Sequence, residues 1–415
     1  MEGAVYILFI CQILFKKAKM RRQMQEYFVD LHVHIGRSSL GKITKRGTSD
    51  KLTFSNIAYE AYHRKGIQVI GVVDCVSPWI IRDIEELLNA GELDELPEGG
   101  MVYSEDLIIL LGSEIETRQK EGCSAHSLMF FPKFSQVREF SRIMDRHMTN
   151  LEYNSTVSRL SGQELFDIVD SLGGIFIPAH VFTPYKGFYG NCTDRLHKIF
   201  DSASLEKIPS IELGLSADTG MASQLSELDT KTFISNSDAH SLRKMGREYN
   251  IMLLKELNFD EVVKALRNQE GRKIVANFGL NPKLGKYHRT FCLNCQIITQ
   301  LPPPVTECPN DPKHRVVMGV LDRLVVIRDR GESLDSQRPP YHYQVPLDFI
   351  PGVGPKTIDK LIQAFGNEMN ILHRASREEI REVVSEDITD MIMQARQGTL
   401  SLVHGGGGKY GKVEH

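Results

Sequence analysis

Little in this 415-residue sequence is extreme, and each missing extreme removes a class of protein. Charge of one sign is not in excess: 50 Lys and Arg stand against 53 Asp and Glu, a formal net charge of -3. Contact with a polyanion must therefore come from local basic patches and not from a global field. A membrane-length apolar run is also missing. The best candidate, Ala4–Phe15, is only about twelve residues long, too short to span a bilayer. Its basic cluster (Lys16, Lys17, Lys19, Arg21, Arg22) follows it, the reverse of a secretion signal. Residues 1–25 are expected to be a poorly ordered or upstream-extended start, with folding beginning near Met20 or Met24 and no membrane partner. Cysteine is sparse: seven residues, an odd number, make a poor disulfide framework. Three of them crowd near a histidine, which favours metal in a reducing, cytoplasmic compartment.

With 41% hydrophobic residues the chain can bury a large core and at least one smaller module, so two or three domains are expected. From Glu26 to about Gly279, short β-branched runs alternate with amphipathic stretches. Strands are expected at Tyr27–Ile35, Gln68–Cys75, Leu107–Glu116, Ser127–Phe131, Gly174–Phe182, Ser210–Leu215, Thr232–Ser237 and Asn250–Leu254. Helices are expected between them, as at Asn56–Lys65, Ile81–Asn89, Gln136–His147, Gln163–Ser171 and Asp260–Asn268. This alternation predicts an α/β fold, a closed or nearly closed barrel over residues 26–280.

Histidines and acids fall at the ends of these strands. In Asp30-Leu31-His32-Val33-His34 the two-residue period of a strand turns both imidazoles to one side. Asp74, Glu114, His126 and His180 mark later strand ends, and Asp238 with His240 forms a second alternating pair. In a barrel such ends meet on one rim. Mixed imidazole and carboxylate donors suit zinc, manganese or another divalent ion, and one bridging carboxylate would hold a pair of ions. A single histidine of this kind is more often an ordinary hydrogen-bonded residue; the whole set is not.

Taken in order, Asp30–His34, Val73-Asp74, Gly112-Ser113-Glu114, His126, Pro178-Ala179-His180 and Ser237-Asp238-Ala239-His240 resemble the successive motifs of the PHP (polymerase and histidinol phosphatase) family. The resemblance implies a distorted (β/α)7 barrel with two or three divalent ions, zinc, manganese or magnesium. It gives His32, His34, Glu114 and Asp238 to one ion, and Glu114, His126 and His180 to the second. It also makes Asp238, Glu114, His32 and His34 the catalytic set. Where three-ion members carry further histidines, this chain has Cys75 and residues such as Ser39 or Leu40, so a third site would rest on Asp74 and His240. Asp30 and Glu212 are candidates to support the ligands from behind.

Beyond the barrel, residues 281–330 are read as a zinc-binding module. Cys292-x2-Cys295, Cys308 and His314 supply the four donors of a closed structural site, His314 being the least determined. Residues 331–342 read as a linker. Residues 343–402 contain Ile350-Pro351-Gly352-Val353-Gly354-Pro355-Lys356-Thr357, a helix-hairpin-helix pattern whose Gly352, Gly354, Lys356 and Thr357 would meet a phosphate. Residues 403–415, with four consecutive glycines, are expected to be a disordered tail. Arg37, Lys42, Lys45 and Arg46 would make the barrel rim positive, and Tyr185 and Lys186 lie on a loop fit to hold a turned-out nucleotide or to act as a lid. This combination of modules resembles the endonuclease Q enzymes. That likeness implies a cut on the 5′ side of deaminated bases (uracil, hypoxanthine, xanthine) and abasic sites, with damaged duplex or single-stranded DNA as partner. The competing readings are a small-molecule phosphatase of the histidinol-phosphate type and a non-catalytic DNA-binding scaffold.

Overall fold

The computed structural model describes residues 23–119, 122–153, 157–331 and 338–413. At its centre is a ring of seven strands: β1 (Gln25–Val33), β2 (Val69–Val72), β3 (Leu107–Arg118), β4 (Ser124–Phe131), β5 (Ile175–Pro178), β6 (Ser210–Glu212) and β7 (Thr232–Ile234). β1, β2 and β3 run parallel, β4 lies antiparallel to both β3 and β5, and β6 pairs parallel with β7. The remaining seams are held by main-chain bonds from the loops: Val181 N–H to the Glu212 carbonyl at 3.0 Å, and Ala239 N–H to the His32 carbonyl at 3.1 Å. Two more strands, β8 (Tyr249–Leu254) and β9 (Lys273–Gly279), extend the sheet antiparallel beyond β1.

Helices cover the ring because their sequences carry one apolar face. In α1 (Pro78–Ala90), Ile80 and Ile84 are buried; α2 (Phe134–Met144) buries Phe134, Val137, Phe140 and Met144. Helix α3 (Gly162–Ser171) starts at a reciprocal cap between Ser161 and Glu164. Most ring strands end a few residues earlier at their C-terminal ends than the apolar runs suggest, because the residues there leave the ladder to form the ligand-bearing turns. The strand at Lys273–Gly279 was not anticipated.

After the ring, Phe291–Cys292 pairs with both Ile297–Ile298 and Val316–Val317 in a small antiparallel sheet. Helix α4 (Val320–Ile327) follows, its Arg323 donating to the Tyr189 and Thr193 carbonyls of the barrel. Four helices follow: α5 (Pro355–Phe365), α6 (Glu368–His373), α7 (Arg377–Val383) and α8 (Glu386–Gln397).

Four expectations need correction or placement. Residues 1–22 of the expected N-terminal extension lie outside the described residues, while Gln25 already belongs to β1. Of the linker, 332–337 also lie outside, but Tyr341–Tyr343 is a strand pairing parallel with β9, so main-chain hydrogen bonding holds that end. The expected disordered tail is folded through Val413: Leu402–Val403 pairs with Lys412–Val413, and the glycines permit contacts too close for a side chain. Residues 414–415 are not described. Finally, Cys123 and Cys192, 69 residues apart, form a disulfide, where the cysteine count argued only for metal.

Candidate metal centre

His32 in β1 and His34 just past its end share one side with Asp30, as the strand period requires, while Val29 and Leu31 share the other. All five are fully buried. His32 Nδ1 lies 2.9 Å from Glu212 Oε1, and His34 Nδ1 lies 2.9 Å from Asp74 Oδ2. A carboxylate can only accept, so each Nδ1 carries a proton and Nε2 is left as the nitrogen that can ligate a cation. Those two Nε2 atoms face one another at 3.2 Å. Two ring nitrogens so placed need a positive partner, met here by Lys45 Nζ at 3.0 Å from His34 Nε2 and equally open to a divalent ion, and protonation at Nδ1 is the tautomer metal-ligating histidines adopt.

Two triads of donors assemble around this pair. His32, His34 and Asp238 form one; Glu114, His126 and His180 form the other, and in each the donor atoms lie within 4.8 Å of one another. Glu114 stands between them. Its Oε1 is 2.8 Å from His126 Nδ1 and 3.3 Å from His180 Nε2, while Oε2 is 3.6 Å from His34 Nε2. Asp238 Oδ1 is 3.3 Å from His34 Nε2 and 3.6 Å from His32 Nε2. This mixed donor set, with one carboxylate facing both triads, fits divalent cations.

The electrostatics agree. Burial opposes charge on Glu114, but His126 and Lys45 outweigh it and hold the carboxyl well below its usual range. Burial likewise opposes charge on Asp238, and His32 with His34 and His240 overcomes it. Burial disfavours a charged His32, yet Glu212 and Asp238 raise it well above the ordinary histidine value. The backbone is strained at two donors: His180 has φ 27° and Asp238 φ 45°. Behind them, Asp30 accepts from Ser237 N and Gly246 N, and Arg247 donates to the Ser237 and Asp238 carbonyls, which braces the Asp238 turn.

Other expected residues are placed differently. Asp74 supports His34 from behind and also accepts from Ile35 N at 2.8 Å. His240 lies against His34 with ring centres 4.6 Å apart and planes tilted by 53°, and is partly exposed, outside both triads. Cys75 is wholly buried with its thiol pushed above its usual range, chiefly by burial. Lys45 is not on the rim: its Nζ is 2.6 Å from Glu114 Oε2 and 3.0 Å from His34 Nε2. Arg37 is engaged by Asp50 and Lys186 by Glu116, so neither cation is free, whereas Tyr185 is half-exposed and packs edge-on against Tyr287. The sequence reading missed the inward reach of Lys45, the bracing by Arg247 and the presence of Tyr410 in the cleft. No local motif marks any of the three.

These groups open onto a cleft of about 290 Å³, whose walls include Lys45, Tyr185, Lys286, Tyr287, His240 and Tyr410. Elsewhere, Cys292, Cys295, Cys308 and His314 bring their donor atoms within 4.8 Å of one another, with His314 Nδ1 3.2 Å from Cys295 Sγ. At the hairpin, Gly352 has φ 77° and Gly354 caps α5, with Pro355 at its first position and Lys356 and Thr357 following. Only a single short turn, Leu347–Phe349, precedes this hairpin.

A family model described as PHP-associated matches residues 220–270, the stretch containing Asp238 and His240. The crystal structure of the lesion-specific endonuclease Q from Pyrococcus furiosus superposes with a TM-score of 0.79 and 32% identity, over 94% of this chain and 95% of that one. This chain belongs to the endonuclease Q family. A second endonuclease Q structure, in complex with a 27-mer duplex bearing an abasic lesion at its active site, matches with a TM-score of 0.79 and 31% identity over 94% of this chain and 96% of that one. An uncharacterized Bacillus subtilis protein, YqxK, is 43% identical over 397 residues, covering 94% of this chain and all of the relative. As an endonuclease Q family member the protein is a metal-dependent phosphodiester hydrolase. No helix among the described residues is long and apolar enough to cross a membrane.

Proposed function

We propose that this protein is a DNA repair endonuclease that cuts the phosphodiester 5′ of deaminated bases (uracil, hypoxanthine, xanthine) and of abasic sites. The observation that carries the reading is the pair of donor triads joined by Glu114, in a chain that matches a lesion-specific endonuclease along almost its whole length.

His32, His34 and Asp238 would hold one divalent ion and His126 and His180 a second, with Glu114 between them. Bound ions there would supply Lewis acidity and lower the pKa of water, the chemistry that hydrolysis of a phosphodiester with release of the 3′ oxygen needs. The chain's own residues do the rest. Glu212 and Asp74 keep the His32 and His34 imidazoles protonated at Nδ1, the ligating tautomer, and Arg247 holds the Asp238 turn in its strained shape. Lys45 brings a positive charge to the same carboxylates. Tyr185 and Tyr287 offer aromatic faces beside the cleft on which a nucleotide turned out of the duplex can stack.

The remaining modules fit a DNA substrate. Cys292, Cys295, Cys308 and His314 would hold a structural zinc that fixes the small sheet against the barrel. Gly352, Gly354, Lys356 and Thr357 would grip a phosphate at the start of α5, a contact blind to sequence and suited to an enzyme that searches for damage. That role fits action in the cytoplasm, at the nucleoid if the source is a prokaryote.

The test is a nicking assay on end-labelled duplexes containing one deoxyuridine, deoxyinosine or abasic site, beside an undamaged duplex, with Mn²⁺ or Mg²⁺. A single cut on the 5′ side of the lesion is expected, absent in Asp238→Ala and after chelation. Turnover of a small phosphate monoester with no cleavage of any duplex would sink the reading.

A further inference from the structure

The four glycines at 405–408 have the composition of a linker, yet three of them, Gly405, Gly406 and Gly407, have the contacts of a packed element. A Cβ on Gly405 would lie within about 2.7 Å of the Leu284 and Gly285 carbonyl oxygens, and one on Gly406 would lie 2.4 Å from Ile298 Cδ1. Gly407 combines φ 60° with the Phe291 ring 2.7 Å from a notional Cβ, and Gly411 would meet the Val403 carbonyl at 2.2 Å. Main-chain bonds run the length of the segment: Gly405 N to Lys283 O at 2.7 Å, and Gly411 N to Leu284 O at 2.9 Å. The chain thus threads between the barrel and the Cys/His module, where only glycine fits.

This strap carries Tyr410 into the cleft. On the Tyr410 ring sit two cations: Lys286 Nζ at 4.6 Å from the ring centre and the Arg247 guanidinium at 5.2 Å. Arg247 is already committed to the Ser237 and Asp238 carbonyls. Lys286 is not committed. Among the described residues its Nζ makes no ion pair and no hydrogen bond, although it borders the cleft that holds Asp238 and His240 and the adjoining recess beside Gly407 and Gly408.

We propose that the C-terminal strap, residues 402–413, is a wall of the substrate cleft, and that the Tyr410 ring seats the Lys286 ammonium for one phosphate of the bound strand. An ammonium held over an aromatic face and lacking a carboxylate is a ready partner for an anion, and the metal-side position places that anion next to the reacting phosphodiester. Tyr410 is therefore a positioning residue, and Lys286 the group that touches substrate. The proposal rests on the nucleic-acid reading above.

The test measures binding of the full-length protein to a fluorescently labelled duplex with a single abasic-site analogue, by anisotropy between 50 and 200 mM salt. Each phosphate neutralised contributes about 0.9 to the slope of log affinity against log salt. Lys286→Gln should lower that slope by about 0.9, so affinity changes roughly threefold less across the salt range. Tyr410→Ala should lower it equally, Tyr410→Phe should restore it, and the Tyr410→Ala/Lys286→Gln pair should be no worse than Lys286→Gln alone. A purely structural role would reduce thermal stability in Tyr410→Ala and leave the slope where it was. An unchanged slope in Lys286→Gln, whose side chain is a surface of the cleft and not a core group, overturns the inference even if Tyr410→Ala fails to fold. Loss of lesion-DNA binding and nicking by the wild type would instead overturn the nucleic-acid reading, and this inference with it.

Discussion

Take away the charge of Glu212 and His32 loses the partner that fixes which nitrogen bears its proton. The carboxylate accepts from His32 Nδ1 at 2.9 Å, from His180 N at 2.8 Å and from the Asn236 amide at 2.9 Å, so one residue orients donors of both triads. Glu212→Gln keeps the shape and should weaken divalent-ion affinity about tenfold or more, the usual cost of removing a supporting carboxylate. Competition against a chelator measures it, and unchanged affinity would count against the tautomer argument. Glu248 belongs to a different account. It is fully buried, accepts only from Leu280 N at 2.8 Å, and burial pushes its carboxyl up to about 8. Between its ordinary value and about 8 the unfolded chain has released the proton while the folded chain keeps it, so stability falls as pH rises through that window and levels off above it. Glu248→Gln mimics the protonated acid and should flatten that fall, leaving the variant more stable than wild type by on the order of 4 kcal/mol at pH 8 and only about 1 kcal/mol at pH 5. Urea melts at the two pH values decide it. At this scale the histidines and acids of the triads were legible because strand ends and two-residue spacing announce them. Lys45 was misplaced because its direction depends on how the 36–52 loop folds back, which no spacing encodes.

An element holds its donors only if its neighbours leave room. The turn after β6 passes so close to His180 that a Cβ on Gly214, which has φ 78°, would lie 2.8 Å from the His180 Cβ. Gly214→Ala should therefore displace His180 and the second triad. A displacement of about 1 Å can cost on the order of 100-fold in rate, so nicking should fall at least tenfold while the donors on β1 remain in place. Residual high-affinity binding of one ion in place of two, read by metal titration, would distinguish this from general unfolding; full activity would refute the steric argument. Element types were readable wherever period and length agreed, as in Leu107–Arg118 and Gly162–Ser171. The strap at 402–413 was not, since four glycines carry no hydrophobic pattern and their purpose lies in the Leu284, Phe291 and Ile298 surfaces they approach.

At the scale of the molecule, the order of the modules could be read along the chain, but how the C-terminal helices meet the barrel could not. The contact is made by residues roughly 300 apart in sequence, and a lysine or a glutamate on a helix looks like an ordinary solvated charge. Here Lys65 Nζ lies 2.8 Å from Glu368 Oε1, with only 4% and 12% of the two side chains exposed, and it also donates to the Arg243 carbonyl. Around this buried pair, Arg64 reaches Asp359 at 2.6 Å and Lys244 reaches Asp348 at 2.8 Å. The Arg64–Asp359 pair is open to solvent and contributes little, and the Lys244–Asp348 pair is only partly buried, whereas breaking the Lys65–Glu368 pair leaves a buried charge with no partner. Lys65→Met should therefore cost about 3 kcal/mol and expose the loop before α5 to protease, with the barrel's metal content retained. Lys65→Met/Glu368→Met should recover most of that loss, because an apolar pair of similar volume removes the stranded charge together with its partner. If the double variant is as easily cleaved as the single one, the stranded charge is not the cause of the loss, and the ion pair itself, beyond the packing of Met369 and Ile371, is what fixes the Gly352–Thr357 hairpin to the barrel.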